Sequence, residues 1–153
     1  MRTIVIDDLS GPRIAALLQE HVDEMRAITP PESKHALDLD GLRQPDVTFW
    51  SVYDGDELVG CGALKELDAA TAEVKSMRTA AAAQRRGVAS AVLAHLVAAG
   101  RDRGYTRLYL ETGSAAFFAP ARALYEKFGF TYCEPFAGYR PDPNSVHMIL
   151  HLT

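Results

Sequence analysis

The sequence predicts one α/β domain over residues 1–153, of the α+β kind in which helices pack on a mixed sheet. Three observations carry that prediction. Seven short apolar or alternating runs read as strands, three longer runs repeat their apolar residues at helical spacing, and the two kinds interleave. Hydrophobic residues make up 48% of the chain and charged residues 24%, the balance of a globular domain rather than a disordered or fibrous segment. At 153 residues the chain is long enough for one sizeable core.

The elements follow in order. Residues 3–7 form the first strand. Pro12 stands just inside a helix start, and Ile14, Leu17, Leu18, Val22 and Met25 then recur at helical spacing. Thr29-Pro30-Pro31-Glu32-Ser33 breaks that helix, and residues 34–46 are irregular with a short helical turn near 37–42. Residues 47–53 and 57–66 are strands joined by the hairpin turn Asp54-Gly55-Asp56. Residues 72–79 pair with the strand before them. A long helix over 87–103 presents Val88, Val92, Leu93, Leu96 and Val97 on one face, with Gly100 or Gly104 ending it. A strand at 107–111, a helix at 117–128 and strands at 130–133 and 146–151 complete the sheet.

Composition excludes several functions. The formal net charge of −4 leaves no general basic face for nucleic acid. No apolar run approaches the roughly 20 residues that span a bilayer as a helix, so no membrane partner is expected. The opening Met1-Arg2-Thr3-Ile4-Val5-Ile6 reads as a strand rather than a signal peptide. Cys61 and Cys133 are the only cysteines, without a C-x-x-C, which disfavours a metal or disulfide framework. A cytoplasmic, reducing setting is the expectation.

The most informative stretch is Gln84-Arg85-Arg86-Gly87-Val88-Ala89, between the fourth strand and the long helix. A glycine at the mouth of a helix lets backbone N–H groups approach a ligand without a side chain in the way. The helix N-terminus adds unpaired donors and a positive dipole end, and the two arginines add formal charge. That combination suits a pyrophosphate. The chain has no G-x-x-x-x-G-K-[ST], and no G-x-G-x-x-G follows a strand, so the common nucleotide loops do not apply.

The hexad resembles the acyl-CoA signature [QR]-x-x-G-x-[GA] of the GNAT N-acetyltransferases. Ala121-Arg122-Ala123-Leu124-Tyr125-Glu126-Lys127-Phe128-Gly129-Phe130 resembles that family's second signature, A-x-x-L-Y-x-x-x-G-F. The two occur in the right order and at about the right separation, and the resemblance runs from about Ile4 to the C-terminus. It implies the GNAT fold: a mostly antiparallel mixed sheet splayed between strands 4 and 5, with helices on both faces. It also implies acetyl-CoA as co-substrate, without a metal. The expected reaction moves acetyl to a primary amine of a small molecule by direct attack. A homodimer is compatible with the family.

Such a transfer needs a base for the acceptor ammonium, donors for the developing oxyanion and a proton for the departing thiolate. Glu73 is the candidate base. It stands eleven residues before Gln84, the offset at which the histone-acetylating branch of the family carries its general-base glutamate. A solvated strand carboxylate beside Lys75 is the alternative. Tyr125 is the candidate acid, because family members place a tyrosine beside the coenzyme sulfur. Its alternative is a core stripe with Phe117, Leu124 and Phe128. Met77, Arg78 and Thr79 are implied to contribute main-chain groups at a strand bulge, against pantetheine and the acyl carbonyl. Gln84, Arg85, Arg86, Gly87, Val88, Ala89 and Ser90 form the expected pyrophosphate cradle, with Ala89 replacing the commoner second glycine. One departure concerns position 118, where many relatives carry a coenzyme-contacting Asn. This chain has Phe118, so that contact is in doubt and 118–120 shape the helix start instead.

The acceptor is expected over the sheet, between the first helix with its loop and residues 133–145. His35, Trp50, Lys65, Glu66, Tyr139 and Arg140 are the candidates to touch it, each with a plainer packing or surface role. His35-Ala36-Leu37-Asp38-Leu39-Asp40 and Pro141-Asp142-Pro143-Asn144-Ser145-Val146 resemble a bacterial subgroup of loosely assigned substrate. Two other functions compete: an acyl-CoA-binding sensor without catalysis, and an acetyltransferase acting on protein lysines.

Overall fold

The computed structural model describes residues 2–28 and 39–152. The expected helix break at 29–33, residues 34–38 with His35, and the Met25 side chain lie outside the described residues. The elements are β1 (Arg2–Ile6), α1 (Pro12–Ile28), α2 (Leu39–Leu42), β2 (Val47–Asp54), β3 (Glu57–Glu66), β4 (Thr71–Thr79), α3 (Val88–Asp102), β5 (Arg107–Gly113), α4 (Ala119–Lys127), β6 (Thr131–Cys133) and β7 (Ser145–His151). The helix expected at 117–128 is divided: Ala116–Phe118 is a 3₁₀ turn and α4 starts at Ala119. Pro120 supplies no N–H to continue a helical ladder back through that turn, which accounts for the division.

The seven strands form one sheet in the order β1-β2-β3-β4-β5-β7-β6. Every pairing is antiparallel except β4 with β5, which run parallel. That parallel pairing runs only from Thr71↔Arg107 to Val74↔Leu110. Beyond it β4 continues to Thr79 and β5 to Gly113 without pairing to each other, so the sheet opens into a V at its centre. This is the splay that the resemblance implies.

Alternation along the strands divides the apolar residues between two cores. On one face Trp50, Val52, Leu64, Val74, Leu108, Leu110, Met148 and Leu150 pack with Val88, Val92, Leu93 and Leu96 of α3 and with Tyr125 of α4. On the other, Phe49, Cys61 and Ala63 pack with Ile14, Leu17 and Leu18 of α1 and with Leu42. Helices therefore cover both faces.

Two local features position the V. Opposite Cys61–Ala63 of β3, β4 carries one extra residue, since Cys61 pairs with Arg78 but Ala63 with Lys75. Ser76 within this bulge adopts φ +56°, an unusual conformation for a residue with a side chain. On β3, a Cβ at Gly60 would lie 2.6 Å from Val88 Cγ1, and one at Gly62 would lie 2.6 Å from Val92 Cγ1. The two glycines thus let α3 seat its first turns directly on the sheet, next to the open end of β4.

Candidate active site

A cavity of about 740 Å³ fills the V, within the usual range for a small-molecule site. Gln84, Arg85, Gly87, Val88, Ala89 and Ser90 line one end. The β4 segment 73–79 and Leu110, Glu111, Thr112 and Gly113 of β5 form its walls, and Phe118, Ala121, Leu124 and Tyr125 close one side. Glu73, Lys75 and Tyr139 lie at the far end.

The helix end of the cavity is built for an anion. Gly87 is the N-cap of α3 at φ +77°, and no side chain caps the first turn. The leading N–H groups are therefore left for a ligand, at the positive end of the helix dipole. Arg85, also at positive φ (+69°), borders the same space. The Arg86 side chain does not. It turns to Glu57 at 3.2 Å and Asp54 at 3.7 Å, and only its main chain stays in the loop. The formal charge expected of two arginines is thus reduced to one at the cavity.

The bulged strand forms the middle. Met77, Arg78 and Thr79 all line the cavity. The Arg78 side chain, however, leaves for α1, where it pairs with Glu20 and Glu24 at 2.6 Å each. The buried Cys61 thiol donates to the Ser76 carbonyl at 3.3 Å and secures the bulge from beneath. Opposite, Tyr125 is buried with its ring edge-on to Phe130, centroids 5.9 Å apart. Among the described residues its hydroxyl has no hydrogen-bond partner. Burial pushes the phenol up to about 12. The ring does join the core beside Leu124 and Phe128, as the alternative role expects, while Phe117 is exposed. Phe118 stacks on Gly113, which has no side chain to obstruct it, and Arg122 donates to the Gly113 carbonyl at 2.6 Å. Together they hold α4 against the end of β5.

At the far end Glu73 is buried rather than solvated, with 3% of its surface exposed. Its Oε2 accepts from Lys75 Nζ at 3.0 Å and from the Tyr139 hydroxyl at 2.8 Å, and Lys75 Nζ also donates to the Tyr139 oxygen at 2.8 Å. Among the described residues Oε1 has no such partner. One oxygen is held and the other is left to a ligand. Tyr139 ionisation is driven far up by burial first and then by the neighbouring Glu73 charge.

The remaining acceptor candidates divide. Tyr139 is in the cavity. Trp50 is not: it is buried on the opposite face, edge-on to His95 at 5.2 Å and under the Arg103 guanidinium. Glu66 accepts from the Tyr105 hydroxyl at 2.7 Å, and neither Lys65 nor Arg140 lines the cavity. Sequence reasoning passed over Glu111 and His147, whose Nε2 lies 3.0 Å from Glu111 Oε2. They are neighbours only through the β5–β7 pairing Glu111↔His147, and no local motif announces them. Among the described residues no cluster of His, Cys, Asp and Glu could hold a metal, and no helix is long and apolar enough to cross a membrane.

The sheet parted beside the uncapped start of a helix belongs to a fold shared with a putative acyl-CoA N-acyltransferase from Klebsiella pneumoniae, at a TM-score of 0.80 and 27% identity, covering 100% of this chain and 99% of that one. Residues 14–130 match the acetyltransferase (GNAT) family. The chain is 59% identical over 145 residues to YsnE, an uncharacterized N-acetyltransferase of Bacillus subtilis (strain 168), covering 95% of this chain and 96% of that one. It is 52% identical over 152 residues to YedL, an uncharacterized N-acetyltransferase of Escherichia coli (strain K12), covering 99% and 96%. A GNAT family acetyltransferase from Elizabethkingia anophelis, crystallised with acetyl-CoA bound, shares the fold at a TM-score of 0.68 and 16% identity, covering 98% and 97%. The chain belongs to the GNAT family and is an N-acetyltransferase.

Proposed function

We propose that the protein transfers acetyl from acetyl-CoA to a primary amine of a small molecule by direct attack, with Glu73 as general base and Tyr125 as general acid. The observation that carries this is the continuity of one cavity from the Gly87 helix mouth, past Tyr125, to Glu73. Main-chain donors of 84–90 hold the pyrophosphate, with Arg85 beside them. The pantetheine arm lies in the V along Met77, Arg78 and Thr79, where a parted strand offers pairing groups.

The acceptor ammonium gives a proton to Glu73 Oε1, and the freed lone pair attacks the thioester carbon. Main-chain donors of the bulge stabilise the oxyanion. As the C–S bond breaks, the thiolate takes the Tyr125 proton and leaves as free coenzyme A. The attacking nitrogen gives up its remaining extra proton as the amide forms, which restores the phenol, and Glu73 returns its own proton to solvent. The burial of the Glu73 and Lys75 side chains at the acceptor end favours a small amine over a protein segment.

The test is continuous detection of free thiol from acetyl-CoA across a panel of amines, amino acids and basic peptides. Release should depend on a small-amine class. Glu73→Gln should lower kcat by roughly 10²- to 10⁴-fold, the usual worth of a general base, with coenzyme binding kept. Gly87→Glu should abolish coenzyme binding. Unchanged turnover in Glu73→Gln would remove that residue from the mechanism, and release confined to peptides would overturn the small-molecule acceptor.

A further inference from the structure

We propose that Glu111, held by His147, is the second carboxylate of the acceptor subsite and binds the acceptor as an ammonium ion before Glu73 takes its proton. This rests on the assignment of Glu73 above.

Glu111 is the first β5 residue past the last β4–β5 pair, Val74↔Leu110, so it stands where the strands part. It lines the cavity. Strand alternation places it on the same sheet face as Tyr109, and Tyr109 is the register partner of Glu73. The two carboxylates are thus diagonal neighbours on one face, astride the opening. Tyr139 lies by both: its hydroxyl donates to Glu73 Oε2 at 2.8 Å, and burial first, then the charges of Glu73 and Glu111, drive its ionisation up.

His147 fixes Glu111. Its side chain is 4% exposed, and its Nε2 lies 3.0 Å from Glu111 Oε2. The imidazole meets Phe136 edge-on at 5.5 Å and Tyr139 at 5.6 Å, so packing holds the ring where it is. His147 is therefore a positioning residue and Glu111 the group that meets the substrate.

The chemistry of the acceptor calls for such a group. An alkylammonium carries three donors, and enclosing it is costly unless they are paired. Glu73 Oε1 can take one, while Lys75 already balances the Glu73 charge. Glu111 brings a further carboxylate to the same wall, so a charged amine is gathered there and an uncharged nucleophile gains less from it.

The experiment compares the best alkylamine of the panel with hydroxylamine, which is uncharged near neutral pH, in steady-state kinetics. Glu111→Gln should raise KM for the alkylamine at least about tenfold, the loss of one charge-assisted hydrogen bond. KM for acetyl-CoA should stay unchanged, and KM for hydroxylamine should rise by much less than that for the alkylamine. His147→Gln, whose amide can donate in place of Nε2, should stay near wild type, and His147→Leu should follow Glu111→Gln. Glu111→Asp, which keeps the charge, covers the case in which Glu111→Gln fails to fold. Equal losses with both nucleophiles would show a structural role and overturn the proposal, as would no loss with either. Unchanged kcat in Glu73→Gln beside a raised KM in Glu111→Gln would sink the base and leave the ammonium subsite standing. A wild-type enzyme that acetylates hydroxylamine and no alkylamine would overturn both.

Discussion

Tyr139 and Glu73 are 66 residues apart in the chain, and the Tyr139 hydroxyl donates to Glu73 Oε2 at 2.8 Å. The loop between β6 and β7 thus folds over the sheet and fixes a carboxylate on β4. Lys75 completes the triangle, so Glu73 presents Oε1 in a single orientation. Hydrogen bonds to a charged group are worth about 1.5–3 kcal/mol. Tyr139→Phe should therefore lower kcat for the amine by roughly 10- to 100-fold while leaving coenzyme affinity unchanged by calorimetry. Equal kcat in the variant would show that Glu73 needs no such brace.

Tyr125 separates catalysis from stability. Because its hydroxyl has no partner among the described residues, Tyr125→Phe should leave the melting temperature nearly unchanged and still cut kcat by about 10²-fold or more. Its phenol, raised from 10.0 to about 12, keeps its proton through neutral and mildly alkaline pH. Any fall in rate below about pH 10 belongs to other groups, and the residual activity of Tyr125→Phe should keep the same profile there.

The seating of α3 is tested at Gly60. An alanine Cβ there would lie 2.6 Å from Val88 Cγ1 and 2.9 Å from the Arg78 carbonyl, and that carbonyl is backbone. Gly60→Ala should cost about 1–3 kcal/mol, as overpacking does, and weaken coenzyme binding by displacing either the α3 start or β4. Gly11→Ala, with nothing within 4 Å of the added atom, is the control. Denaturant melts and coenzyme titration of the pair decide the matter.

The two thiols should behave differently. Burial pushes Cys61 from 9.0 up to about 12, whereas Cys133 is half-buried and raised less. In mildly alkaline buffer a thiol reagent should label Cys133 in the native protein and Cys61 only on unfolding. Above pH 9 the unfolded chain releases the Cys61 proton while the folded one keeps it. The stabilisation present below pH 9 is therefore lost as pH rises towards 12. Cys61→Ala should flatten that alkaline decline, as followed by denaturant melts across pH.

The element boundaries were legible because periodicity is local: α3, expected at 87–103, forms over Val88–Asp102, and β3 matches its expected 57–66. The hexad at the α3 start was legible for the same reason, since a glycine N-cap and its neighbours are one stretch of chain. Glu73 was singled out as a candidate by its offset from that hexad. Its burial was not, because what covers it is Tyr139 from a loop that no periodicity describes.

By itself, then, the sequence determined the order and type of the elements, the helix mouth that suits an anion and the family the chain resembles. The tertiary structure decided how those residues are used. It turned the Arg86 and Arg78 side chains away to acidic partners, committed Trp50 to the opposite core and left one oxygen of Glu73 without a partner among the described residues. It also joined Glu111 to His147 across two strands. The reason is physical. Turn, cap and periodicity preferences act over a few residues, whereas the partner of a buried charge is set by strand register and loop closure between distant parts of the chain.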